Sequence, residues 1–218
     1  MIKIDNTNVF GFEAAIRGLR NPYKSWDKSD SEFIVKEEDG VSGVVLSKIG
    51  ENDLALMNGL AHAGKDHGKF LRMINVTADI TAPLYWWKEY DTYKVGTVAN
   101  STSTMHKIAD KEFELDDFSH DKLNDESEQM LYDLVFYLNG CRDRYLESKN
   151  KEDWWQLIQL LPSSYNQLRT VQLNYQVLQS MFHARRGHRL DEWTEFRKWC
   201  AELPYFKRIC ITEFEEDF

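Results

Sequence analysis

The chain has 218 residues, enough for one large domain or two small ones, and such a chain buries about 70% of its unfolded surface without disulfides or metals. Hydrophobic residues make up 42% and aromatic residues 13%, which excludes a disordered chain. A formal net charge of −9 excludes wrapping duplex nucleic acid, while a few local arginines still suffice for one small anionic nucleotide.

Val9, Phe10, Phe12, Ala15, Ile16 and Leu19 have helical spacing and predict a helix over 9–20 capped by Asn8 and ended by Asn21-Pro22. Residues 23–31 read as a polar loop. The runs Phe33-Ile34-Val35 and Val44-Val45-Leu46 flank Asp39-Gly40 and predict a strand pair. A helix is expected over 52–63, stopping near Gly64. From Phe70 to Thr81 apolar and polar residues alternate, so a strand is predicted, with Pro83 closing it and opening a short aromatic helix.

Residues 107–125 are acidic without a clear period and read as a surface connection. Leu131, Leu134, Leu138, Cys141 and Tyr145 share one stripe of a helix over about 124–146. A second helix is predicted over 151–160, broken by Leu161-Pro162. Leu168, Val171, Tyr175, Leu178 and Phe182 then suggest one long helix from 163 to near Gly187, and a last helix covers 191–203. The pattern predicts a single α+β domain over 1–218, with a mixed or antiparallel sheet and long helices in the C-terminal half.

Common sites have no support. There is no Gly-rich dinucleotide fingerprint, Walker loop or GxSxG elbow. His62 and His67 are five residues apart, as are His183 and His188, and that spacing takes each pair off a common helical face, so no metal site is expected. Cys141, Cys200 and Cys210 include no CxxC pair, which suits reduced thiols in a cytoplasmic protein. No apolar stretch reaches membrane-span length, so no membrane partner is expected.

Two blocks remain. The first runs from Ala82-Pro83 through Thr92-Tyr93-Lys94 and Thr97 to Ala99-Asn100-Ser101-Thr102-Ser103-Thr104. The second begins at Leu161-Pro162 and, eleven residues on, carries Asn174, then Gln176, Ser180 and Arg185. Read as one helix, the second block would put Asn174 and Arg185 within about 20° of a common face.

Together these blocks resemble the flavin-dependent thymidylate synthases. In that family a strand leads through Ala-Pro into a helix, followed by Arg-His-Arg, two residues, Ser, one residue and Asn-Glu-x-Ser-x-Arg. Later come Leu-Pro, eleven residues, Asn-x-Arg-x-x-x-Asn and an Arg five residues beyond. Aligned without gaps, Thr92-Tyr93-Lys94 stands at Arg-His-Arg, Thr97 at the first Ser, Ala99-Asn100 at Asn-Glu, Thr102 at the second Ser and Thr104 at the final Arg. A slip of one residue instead sets Asn100 at the family Asn and Ser103 at the family Ser. In the second block Asn174 and Arg185 keep the family residue types, and Gln176 and Ser180 replace Arg and Asn.

The resemblance implies an α+β homotetramer that binds FAD without a Rossmann motif. It implies NADPH and methylenetetrahydrofolate as co-substrates and dUMP, or a related small nucleotide, as substrate, with dTMP as product. The cofactor would supply the hydride chemistry and the protein the binding and electrostatics. By position, Lys94, Asn174, Gln176 and Ser180 would contact the flavin. Thr97, Asn100 and Arg185 would bind the nucleotide, and Thr102, Ser103 and Arg185 would serve catalysis. The cleft is expected between the aromatic helix of one subunit and the arginine-bearing helix of another. Thr92, Tyr93, Asn100 and Thr104 replace charged or basic signature residues, so three readings follow: an active synthase, a homologue that only binds nucleotide or flavin, and a structural protein of the same fold.

Overall fold

The computed structural model describes residues 2–38 and 41–211. The turn expected at Asp39-Gly40 and the acidic tail over 213–218 lie outside the described residues. In chain order the elements begin with strand β1 (Lys3–Phe10), helix α1 (Phe12–Arg20), strands β2 (Glu32–Glu38) and β3 (Val41–Lys48), and helix α2 (Glu51–His62). Next come β4 (Asn75–Pro83), α3 (Leu84–Tyr90), β5 (Val98–Ser101), α4 (Asp125–Ser148) and α5 (Lys151–Leu160). Strand β6 (Asn166–Asn174) and helices α6 (Tyr175–Ala184), α7 (Asp191–Glu202) and α8 (Phe206–Cys210) complete them. One sheet has the order β1-β4-β6-β5; the other is the antiparallel pair β2-β3, with Ile34 opposite Val45. The chain is α+β, as its patterning predicts.

Two compact units are present, one of residues 1–4, 79–92 and 99–170, the other of residues 5–78, 93–98 and 171–218. The strands β1, β4, β5 and β6 each contribute residues to both.

In the first unit Trp86, Trp87 and Tyr90 of α3 are buried against one another, and the Trp87 indole N–H donates to the Gln167 carbonyl at 2.9 Å. Arg169 lies 4.2 Å from the Trp87 ring centre and pairs with Asp91 at 2.8 Å, so this arginine is a structural staple. Residues 107–125 connect along the surface with most of their charged residues exposed, but four apolar residues turn inward. Ile108, Ala109, Phe113 and Phe118 are buried with Leu131, Val135, Leu138 and Cys141 of α4 and Leu157 of α5. A non-periodic segment hides its apolar residues because the long helix offers a face to cover. Burying one such phenylalanine contributes about 1.5–3 kcal/mol.

The second unit packs α1, α2, α6, α7 and α8 around an aromatic cluster. Tyr175 stands edge-on to Phe12 and Phe206, with ring centres at 5.7 and 5.2 Å, and its hydroxyl donates to the Pro204 carbonyl at 2.6 Å. The first helix is shorter than predicted. Residues 3–10 form β1, and Asn8 lies inside that strand rather than at a cap. Gly11 makes the break: it holds φ +97, where a Cβ would collide with the Met73 carbonyl oxygen. The strand predicted from Phe70 begins only at Asn75, after a 3-10 turn over Gly68–Met73; from there Val76, Ala78, Ile80 and Ala82 are buried, as the alternation requires.

The largest correction concerns 163–187. The expected single helix is strand β6 followed by helix α6, so its proposed stripe is half pleat and half helix. The three cysteines are buried free thiols. No helix among the described residues is long and apolar enough to cross a membrane.

Candidate functional site

Asn174 is the hinge between β6 and α6. Its extended backbone ends the strand, and its side-chain oxygen accepts the Val177 N–H at 3.1 Å, capping the helix. Arg185 is the C-cap at the other end, its backbone N–H bonded to the Met181 carbonyl at 3.0 Å. The two residues therefore do not share a helical face: they mark opposite ends of a ten-residue helix.

One loop reaches both ends. At the N-terminal end Gly96 has φ +78, and a Cβ there would meet Val177 at 3.0 Å and the Asn174 amide nitrogen at 3.1 Å. At the C-terminal end the Tyr93 hydroxyl accepts a hydrogen bond from Arg185 Nε at 3.0 Å. Thr97 Oγ1 donates to the Tyr93 carbonyl at 2.6 Å and closes the loop on itself. This contact between residues 93–97 and α6 is made within one chain. Lys94 is exposed on the same loop. Arg185 is half-buried, with its guanidinium carbon 5.2 Å from the Tyr93 ring centre and 4.6 Å from that of the fully buried Trp193.

The other expected flavin contacts have partners of their own. Gln176 accepts from Arg72 Nε and donates to the Lys65 carbonyl at 3.4 Å, while Ser180 donates to the Gln176 carbonyl at 3.0 Å. They border a cleft of about 170 Å³ whose lining includes His62, Lys65, Gln176, Gln179, Ser180 and His183. Sites for ligands of drug or cofactor size run to about 300–1,000 Å³, so this cleft of one chain does not enclose a flavin dinucleotide.

Asn100, Thr102 and Ser103 belong to the other unit. Asn100 is exposed on β5. The Thr102 backbone N–H and hydroxyl both donate to the Leu168 carbonyl, at 2.9 and 3.3 Å, and the Thr102 carbonyl accepts from Gln167 at 2.8 Å. Ser103 Oγ accepts the His106 N–H at 3.0 Å, a local turn cap. In the unit that holds α6, Lys94 and Thr97 lie on the loop over 93–97, which touches the helix end at Asn174 through Gly96 and the end at Arg185 through Tyr93.

Sequence reasoning misses Tyr93 and Trp193 as partners of Arg185. The only signal for Tyr93 is its place between Thr92 and Lys94 in the signature-like block, and Trp193 gives none beyond being aromatic. Gly96 is legible only as a glycine in a polar loop. The reason it must be a glycine, close approach to Asn174, is tertiary.

Solved structures that share this fold include two of flavin-dependent thymidylate synthases. Thymidylate synthase X from Helicobacter pylori with FAD and dUMP superimposes with a TM-score of 0.72 at 14% identity, covering 99% of this chain and 100% of that one. A second structure of the flavin-dependent thymidylate synthase from the same organism, complexed with FAD and dUMP, gives a TM-score of 0.68 at 18% identity over the same shares. No protein-family profile and no curated protein sequence matches the chain. The architecture expected from the two sequence blocks, that of the flavin-dependent thymidylate synthases, is the architecture of this chain over its full length.

Proposed function

We propose that residues 1–218 form one domain that binds dUMP and a flavin and acts as a flavin-dependent thymidylate synthase, yielding dTMP with methylenetetrahydrofolate and NADPH as co-substrates. The observation that carries this reading is the loop over 93–97 spanning both ends of α6, within a fold shared with proteins solved with FAD and dUMP. Arg185 would contact the nucleotide and serve catalysis, its guanidinium able to fork onto a phosphate or to stabilise negative charge on the pyrimidine. Thr97 and Asn100 would complete the nucleotide site, and Thr102 and Ser103 the reacting end. Lys94, Asn174, Gln176 and Ser180 would face the flavin. The reading places this chain in a cytoplasmic homotetramer, in which neighbouring copies would close the site.

The test is the visible spectrum of the purified protein with and without added FAD, followed by calorimetric titration with dUMP. Arg185→Ala is expected to raise the Kd for dUMP about tenfold, the size of one lost charge-assisted contact. Unchanged affinity would make Arg185 a packing residue.

A second reading, a homologue that binds without turning over, is favoured by one observation. The side chains of Asn174, Gln176 and Ser180 are already bonded within the chain. Tritium release from labelled dUMP separates the two. Binding without release supports the second; failure to bind either ligand removes both and leaves a structural protein.

A further inference from the structure

Within the unit that contains residues 99–170, the loop after β5, the end of α4 and the start of α5 border a cleft of about 370 Å³. Its lining is Met105, His106, Tyr145, Lys149, Lys151 and Trp154. The loop is tied down on both sides: the Trp154 indole N–H donates to the Met105 carbonyl at 3.2 Å, and the His106 backbone N–H donates to Ser103 Oγ at 3.0 Å. Lys149 and Lys151 have no carboxylate partner among the described residues. Their ammonium groups lie 5.7 Å from the Tyr145 ring centre and 5.9 Å from the Trp155 ring centre. Nearby carboxylates are engaged elsewhere, Asp110 with Lys107 at 2.9 Å and Asp153 with the Ser148 hydroxyl at 2.6 Å. In a chain of net charge −9, two lysines and a histidine lining one cleft with no acid in the lining are a local exception. Lys149 adds an independent sign. It ends α4 with φ +54, a left-handed conformation that glycine or asparagine adopts at least cost, so a cation is kept where the backbone favours glycine.

We propose that this cleft binds a small phosphorylated compound with a planar ring: Lys149, Lys151 and His106 take the phosphate, and Tyr145 and Trp154 wall the ring. Phosphate suits the lining better than a carboxylate, because a monoester offers three acceptor oxygens and about two negative charges to three donor side chains. The volume falls in the range of about 300–1,000 Å³ in which small-molecule sites lie. None of the lining residues is among those assigned to dUMP or the flavin, so the proposal does not rest on that reading.

The experiment titrates the full chain by calorimetry with phenyl phosphate, with inorganic phosphate as the ring-free control and phenol as the phosphate-free one. Wild type, Lys149→Gly and Lys151→Gln are compared. Wild type is expected to bind phenyl phosphate with a Kd below about 1 mM and each control at least about tenfold more weakly. Each substitution should raise the Kd for phenyl phosphate about fivefold and leave that for phenol unchanged. Lys149→Gly should melt at or above wild type, because glycine relieves the left-handed residue, so its loss of binding is not a loss of fold. The proposal is overturned if phenyl phosphate does not bind, if either control binds as tightly, or if both variants bind phenyl phosphate within about twofold of wild type. Failure of wild type to bind dUMP or FAD would remove the functional reading and leave these outcomes untouched.

Discussion

Replacing Asp53 with asparagine isolates the most concentrated polar contact in the described structure. Asp53 is fully buried on α2 and accepts five hydrogen bonds: from Arg20 Nε at 2.6 Å, the Ser29 and Ser31 hydroxyls, and the backbone N–H groups of Asp30 and Ser31. Arg20 is 3% exposed and also donates to the Ser25 and Lys28 carbonyls, so the pair ties α1 and the loop over 25–31 to α2. An asparagine has one acceptor oxygen. If it faces Arg20, its NH₂ points at two backbone donors that cannot reverse; if it faces them, the NH₂ points at Arg20. Either way a buried cation loses its counter-charge, which costs about 3–5 kcal/mol. At about 2–4 °C per kcal/mol for a chain of this size, Asp53→Asn should melt roughly 10 °C below wild type.

The pH profile supplies a second readout. Burial pushes the Asp53 carboxyl up, but hydrogen bonds from Ser31, Ser29 and Arg20 outweigh it and hold the carboxyl below its ordinary value. A depressed folded-state pKa means that this stabilisation is full above the unfolded carboxylate pKa and is lost as pH falls through the folded one. Wild type should lose stability there and Asp53→Asn should lack that component. Melting curves by circular dichroism at neutral and acid pH measure both. A variant melting within about 2 °C of wild type at neutral pH would refute the reasoning.

Three further outcomes are expected. Gly96→Ala should destabilise by about 1 kcal/mol or more, since φ is +78 and its Cβ would press on Val177 and Asn174; a urea titration reads this, and dUMP affinity should fall with it. Asn174→Ala removes the cap of α6 and should cost about 1 kcal/mol with or without flavin; a loss seen only with flavin present would mean that the side chain serves the cofactor instead. Burial pushes the Cys200 and Cys210 thiols well above their ordinary value near 9, so their contribution is intact below the unfolded thiol pKa and is lost as pH rises above it. Stability should then fall by about 1.4 kcal/mol per pH unit for each thiol, and Cys200→Ala should reduce the slope in denaturant titrations at alkaline pH.

The sequence by itself determined the elements whose periodicity has a single partner surface. The helices at 125–148, 151–160 and 191–202 are legible because caps such as Asn124 and Asn150 and the break at Leu161-Pro162 act locally. It also put Lys94 and Thr97 in one block and Asn174 and Arg185 in the other, and within one unit the loop over 93–97 meets α6. Tertiary structure alone decided that 166–174 is a strand, because Val171 and Leu173 suit either a pleat or a helix until neighbouring strands are present. It decided as well that Ile108, Ala109, Phe113 and Phe118 are interior, since α4 supplies the apolar face that an aperiodic segment cannot announce. The setting of Arg185 was likewise invisible in one dimension. Tyr93 lies 92 residues from it along the chain and Trp193 stands on the following helix, and only packing sets both rings against one guanidinium.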